Sequence, residues 1–283
     1  MSNASTSVRE IRVAHSPDSD DAFMFYALAE GKLDTGDLRF THVLDDIESL
    51  NRRALAGEFE ITAVSFHAYP YLQERYRLLN HGGSVGYGYG PMIVAPRPLT
   101  IEEARGKVIA IAGERTTSAL VLRLFAPQIR TTVLPFDQIV PALQAGKVEA
   151  GLLIHEGQLT YASAGLHKVI DLGAWWLEQT GLPLPLGGNV IRRDLPLELQ
   201  ERISALLKAS IQYGLDHRRE GLTYAMQFAR DMEPSLADRF IGMYVNHRTV
   251  GYGPEDKRAI EMLLAMGYEQ GIIPHRPRLD FLD

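Results

Sequence analysis

Four short stretches of the 283-residue chain place proton-accepting or proton-donating side chains where an apolar run gives way to a helical pattern. The first is His15-Ser16-Pro17-Asp18-Ser19-Asp20-Asp21. Free backbone N–H groups at a helix start hold anions or polar oxygens. The same residues also read as an ordinary capped start, with Asp18 or Ser19 as the cap and Asp20 and Asp21 suited to the positive end of the helix. Their carboxylates hint at a metal, but no other residues supply a matching ligand set, so no metal is expected. The second stretch is Gly113-Glu114-Arg115-Thr116-Thr117-Ser118. Its hydroxyls and N–H donors can cradle a carboxylate, with Arg115 adding charge; a threonine cap accounts for the same pattern. It lacks the Gly-Lys-Ser/Thr ending of a phosphate-binding loop, so no nucleotide site is read there. The third is Ala63-Val64-Ser65-Phe66-His67. Ser65 can donate to a ligand oxygen or cap the next helix, and no Gly-x-Ser-x-Gly elbow surrounds it.

The fourth stretch is Ile154-His155-Glu156, after the apolar run Ala150-Gly151-Leu152-Leu153. A histidine just past a buried strand points into the crevice where α/β proteins bind ligands, and an imidazole can accept a proton at cellular pH. A hydrogen-bonded structural histidine is the competing reading. The other histidines, His15, His42, His67, His81, His167, His217, His247 and His275, form no His-x-x-x-His pair, which argues against zinc. Trp175 and Trp176, with Pro183-Leu184-Pro185-Leu186-Gly187-Gly188, read either as an apolar wall for a flat ring or as core.

The elements that must position these residues alternate. Strands are expected over 11–14, 38–43, 59–64, 92–95, 107–112, 131–135, 148–154, 168–172 and 189–192. Helices are expected over 20–30, 47–56, 116–125 and 137–145, with a helical stretch running from the third strand through Tyr76. From about Pro196 the pattern is nearly all helical, over 197–213, 219–231, 236–244 and 254–269. Such alternation predicts mainly parallel sheets. The glycine-dense segment from His81 to Pro91, then Pro96 and Pro98, marks a lobe boundary. The reading is therefore a two-lobed α/β fold with a ligand cleft between the lobes: residues 1–96 and 197–283 form the first lobe, and residues 97–196 the second.

Composition excludes several classes. The net charge is −6, with 29 Lys and Arg against 35 Asp and Glu, which disfavours non-specific nucleic-acid binding. The absence of cysteine removes disulfides, thiolate metal sites and a thiol nucleophile. No apolar run reaches the roughly 18 residues of a membrane span. The polar start, residues 1–10, lacks a signal-peptide core, so a cytoplasmic protein is expected.

Taken in order, several segments resemble the 1,4-dihydroxy-6-naphthoate synthase family of the futalosine route to menaquinone. They are Ser16-Pro17 with Asp21 and Phe23; Asp46-Ile47-Glu48 with Leu50-Asn51; the spaced glycines Gly82, Gly83, Gly86, Gly88 and Gly90; Thr116-Thr117; and Glu149 through Glu156. The longest runs are Val169 through Trp176 and Thr180 through Gly187, and Tyr244-Val245-Asn246 closes the series. The resemblance covers nearly the whole chain. It implies the periplasmic-binding-protein type II fold. It also implies a cofactor-independent lyase that converts cyclic dehypoxanthine futalosine to 1,4-dihydroxy-6-naphthoate and releases a sugar-derived fragment. It gives His155 the role of proton acceptor and Ala63, Val64, Ser65, Thr116 and Thr117 the role of substrate contacts, with Ser16, Asp20, Asp21 and Asn246 also expected at the cleft. The partner implied is a small carboxylated molecule. Rival readings are a non-catalytic solute-binding protein for a small carboxylate and a same-fold lyase such as chorismate dehydratase. One departure stands out. The family's first turn reads Ser-Pro-Cys-Pro-Asn-Asp-Thr-Phe, whereas this chain has Ser16-Pro17-Asp18-Ser19-Asp20-Asp21-Ala22-Phe23. Negative charge is added where an anionic substrate would be faced.

Overall fold

Two mixed sheets organise the chain in a computed structural model that describes residues 8–230 and 232–282. Residues 1–7, Asp231 at the end of the helix expected over 219–231, and Asp283 lie outside the described residues. The strands are β1 Arg9–His15, β2 Leu38–Leu44, β3 Ile61–Ser65, β4 Tyr76–Leu79, β5 Ser84–Gly86, β6 Met92–Ala95, β7 Val108–Ile111, β8 Arg130–Val133, β9 Ala150–Leu153, β10 His167–Asp171, β11 Leu184–Arg192 and β12 Phe281–Leu282. The first sheet has the order β12-β4-β11-β3-β1-β2, with β5 also paired to β11; the second has the order β10-β6-β9-β7-β8.

The expectation of mainly parallel sheets is corrected: five of the ten pairings are parallel and five antiparallel. The antiparallel ones all involve β6 or β11, the strands on either side of the passages between sheets. A strand arriving from the other sheet is not returned by a crossover from a neighbour in its own sheet, so nothing obliges it to run parallel. Sheet membership also departs from boundaries at 96 and 196. β6 belongs to the second sheet although it precedes Pro96, and β11 belongs to the first although it precedes Pro196. The chain thus changes sheets within 87–91 and again within 172–183. The two passages touch backbone to backbone. A Cβ on Gly173 would lie 2.1 Å from the Tyr89 carbonyl, and one on Gly90 would lie 3.0 Å from the Gly173 Cα.

Local chemistry sets the helices that face the cleft. Asp46 accepts from the N–H groups of Glu48 and Ser49, both at 3.0 Å, and starts the helix Ile47–Leu55. Thr116 caps the helix Thr117–Phe125 by accepting from Ala119 N–H at 3.2 Å. β9 is apolar and fully buried, as a strand covered on both faces should be. The long helix Leu197–Asp216 packs on Ser19–Ala29 through Leu207, Ile211, Phe23 and Met24. Tyr76, expected in a helix, begins strand β4 instead; its ring is buried and its hydroxyl donates to Phe59 O at 2.8 Å. Among the described residues no helix is long and apolar enough to cross a membrane.

Candidate active site

A cavity lies where strand ends of both sheets meet helix starts. The first sheet contributes Ser16, Asp18, Asp20 and Asp21 after β1, Ala63, Val64 and Ser65 at the end of β3, and Leu186, Gly187 and Gly188 of β11. The second contributes Thr116, Thr117 and Ser118 after β7, and Ile154 and His155 after β9; Phe240 and Tyr244 close it from the helix Pro234–Tyr244. Ala63, Val64, Ser65, Thr116, Thr117, His155, Ser16, Asp20 and Asp21 are thus brought together as the sequence reading expected. Asn246 is not among the lining residues. Its side chain accepts from Arg248 N–H at 3.0 Å and donates to Met243 O at 3.1 Å, which makes it the cap of the next helical turn, His247–Val250.

The threonine side chains of the wall around Thr116 are satisfied internally, while Nε2 of His67 behind them is buried without a partner. Thr116 Oγ1 donates to Gly113 O at 2.9 Å, and its carbonyl meets His67 Nδ1 at 3.1 Å. Thr117 Oγ1 donates to Leu186 O and accepts from His67 N–H. The hydroxyls expected to cradle a carboxylate are therefore engaged. What this wall offers a ligand is the first backbone N–H groups of the helix, those of Thr117 and Ser118, which have no carbonyl one turn behind them. Ser65 differs. Its N–H is held by Asn51 Oδ1 at 2.9 Å and its Oγ accepts from Asn51 Nδ2 at 3.1 Å, which leaves the hydroxyl hydrogen to point elsewhere. Asn51 is fully buried and was not singled out for the site from sequence; its position in Leu50-Asn51, one turn into a helix, gave no sign of that role.

The acidic turn has a different character. Asp18 occupies the N-cap position of the helix Ser19–Ala29 but makes no capping bond. Its Oδ2 lies 2.9 Å from His155 Nδ1 instead, so the cap expected from Asp18 or Ser19 is absent. Asp21 Oδ2 accepts from Ser16 N–H at 2.8 Å. Asp18 Oδ1, Ser19 Oγ and Asp20 Oδ1 are buried without a hydrogen-bond partner. Carboxylate oxygens of Asp18, Asp20 and Asp21 fall within 4.8 Å of one another. Such crowding does not leave three anions. Burial, reinforced by the charges of Asp18 and Asp21, pushes Asp20 well above the carboxylate range, and burial with the charge of Asp18 pushes Asp21 up to about 8. Burial opposes ionisation of Asp18, but His155, a hydrogen bond with Asp20 and the charge of His15 together hold Asp18 below its ordinary value. Burial and mutual repulsion therefore favour the neutral forms of Asp20 and Asp21, which lessens the conflict with an anionic ligand.

His155 adopts a left-handed backbone, φ 52°, where β9 ends. A non-glycine residue holds that conformation at a cost, and it turns the ring into the cavity. Phe136 packs edge-on against the ring with centroids 5.4 Å apart. Glu156 points away and pairs with Arg230. Gln158 accepts from Tyr244 O–H at 2.7 Å. These last contacts tie the segment after β9 to the C-terminal helices. The tryptophans form no cavity wall. Trp176 is fully buried and donates to Pro183 O at 3.0 Å, and Trp175 packs edge-on against Phe125. The aromatic rings at the cavity are those of Phe240 and Tyr244.

A cavity between strand ends and helix starts of two α/β sheets is the arrangement of the periplasmic-binding-protein fold. The alkanesulfonate-binding protein of Xanthomonas axonopodis pv. citri shares this fold, with a TM-score of 0.72 at 14% identity over 95% of this chain and 96% of that one. The chain belongs to the family described as Menaquinone biosynthesis, which matches residues 11–269. Within it, the 1,4-dihydroxy-6-naphthoate synthase of Thermus thermophilus is 38% identical over 95% of this chain and 97% of its own, and that of Streptomyces coelicolor 36% over 93% and 95%. The crystal structure of protein AF1704 from Archaeoglobus fulgidus superposes with a TM-score of 0.90 at 46% identity, covering 96% of this chain and 100% of that one.

Proposed function

We propose that this protein is a cytoplasmic lyase that converts cyclic dehypoxanthine futalosine to 1,4-dihydroxy-6-naphthoate, with His155 as proton acceptor. The observation that carries the reading is that His155, Ser65, Thr116 and Thr117 line one cavity. Removal of a proton next to a carbonyl starts elimination and aromatisation, and a well-placed base contributes about 10²–10⁴-fold. His155 supplies that base. The amides of Thr117 and Ser118 and the hydroxyl of Ser65 hold the carboxylate and fix the ring relative to His155; they need no rearrangement as charge develops. Ala63 and Val64 line the same cavity and offer the ring an apolar surface. The chain's own residues suffice for these steps without a cofactor.

The test is an assay of purified protein with cyclic dehypoxanthine futalosine, following naphthoate by chromatography, with chorismate as a parallel substrate. His155→Ala should retain substrate binding and lose turnover by about 10²-fold or more. Near-normal product formation by that variant removes His155 from the role. Tight binding without conversion by the native protein favours a solute-binding function, and dehydration of chorismate favours the related lyase.

A further inference from the structure

The imidazole of His155 can be a base at only one nitrogen in a given tautomer, so something must decide which. We propose that Asp18 is the positioning residue for His155: its carboxylate accepts the Nδ1 proton and leaves Nε2 as the lone-pair nitrogen that takes the substrate proton. The inference rests on the reading of His155 as the base.

The geometry is specific. Asp18 Oδ2 lies 2.9 Å from Nδ1, and Asp18 is 4% exposed, so the contact is shielded from water. Asp18 stands at a helix N-cap, where an aspartate ordinarily accepts from the N–H two or three residues on. It forgoes that bond and turns to the histidine. The left-handed φ at His155 brings the ring to it.

The other groups around the ring do not compete. Glu156, next in the chain, is paired with Arg230; Phe136 offers an edge; Gln158 is engaged by Tyr244. Asp20 and Asp21 share the turn with Asp18, and burial and the neighbouring charge favour their neutral forms, so neither is a ready proton acceptor. His15 directs Nδ1 to Ser16 O and Nε2 to His42. Asp18 is therefore the ionised acceptor within reach. A carboxylate on one imidazole nitrogen fixes ring orientation and tautomer and stabilises the imidazolium formed when the other nitrogen takes a proton. No new bond to carbon is required of Asp18. The Nδ1 proton stays on His155, and the substrate's proton ends on Nε2. The aspartate that sets this first turn apart from the Cys-containing one thereby acquires a chemical purpose.

The test uses the full chain labelled with ¹⁵N-histidine, with the His155 signal assigned by its loss in His155→Gln. In native protein at a pH where the ring is neutral, long-range ¹H–¹⁵N correlations should show the Nδ1–H tautomer. Asp18→Asn, which can offer an amide N–H to Nδ1, should shift His155 toward the Nε2–H tautomer. That variant should lower kcat by about 10²–10⁴-fold while KM stays within about threefold. Asp18→Ala, which leaves Nδ1 to water, carries the same test if the Asn variant does not fold; it should lose the tautomer preference. An unchanged tautomer in both variants, or a rise in KM with kcat intact, overturns the proposal. The two readings fail separately. Nδ1–H in the native protein, lost on substitution, without turnover of the substrate supports the pairing and retires the lyase. Full turnover by a folded Asp18→Asn keeps the lyase and retires the pairing.

Discussion

The cavity has two junctions of the same local design, a strand end running into a helix start, and they are finished in opposite ways. The Thr116 junction is closed on itself: the cap is made, both threonine hydroxyls have partners, and Asn51 holds Ser65 from behind. The Asp18 junction is left open, with a cap forgone and three buried oxygens unpaired. Unpaired buried polar groups are costly and are tolerated mainly where they serve a purpose. The closed junction is a rigid surface for holding a ligand. The open one keeps its carboxyl groups available for protons.

The comparison can be broken on either side. The largest effect is expected at the open junction. Asp21 sits at about 8 in the folded protein, above its ordinary value, so the folded chain keeps a proton that the unfolded chain releases. That contribution to stability is complete below about pH 4 and is lost as pH rises through 8. Asp21→Asn retains an acceptor for Ser16 N–H and needs no proton. It should raise Tm by on the order of 5 °C or more at pH 8, with the gain shrinking toward pH 5. A gain independent of pH would show that Asp21 is ionised and that the turn holds more charge than described.

At the closed junction, Asn51→Ala strips Ser65 N–H of its acceptor in a fully buried setting. The loss should be about 2 kcal/mol in denaturant unfolding, independent of pH between 5 and 8, with weaker substrate binding. Unaltered binding would mean that Ser65 is not held for the ligand. The smallest effect should come from outside the cavity. Asn246→Ala removes a helix cap and should cost about 0.5–1 kcal/mol while leaving substrate KM unchanged. A clear rise in KM would restore Asn246 to the site.

Much of this was legible in the sequence, for a physical reason. Strand ends and helix starts announce themselves through apolar runs, caps and glycines, and ligands collect at such places. His155, Ser65 and Thr116 are therefore legible in the sequence as residues at strand ends and helix starts. Partnership was not legible. Nothing local indicates that Thr117 spends its hydroxyl on Leu186, or that Asp18 turns away from its own helix, because those choices depend on chains that meet across the fold. β11 was legible as a strand over 189–192 but not as an antiparallel strand within the first sheet, since pairing is a long-range property. Tyr76 was misplaced because β4 is four residues long and follows a helical stretch without a strong break. The tandem tryptophans read either as a ligand wall or as core, and core is the outcome, the commoner fate of large rings: Trp176 is fully buried and Trp175 packs half-buried against the same core.

The contact between Gly90 and Gly173 has a consequence for recombination. The two passages between sheets pack so closely that neither tolerates a side chain. A chimera that takes its second sheet from a relative must import both passages from one parent, since a seam there would have to match two backbones at once. An exchange cut at 96 and 196 would sever β6 from its own sheet and carry β11 into the wrong parent. Cuts outside residues 87–183, with both passages carried together, are the ones the architecture permits.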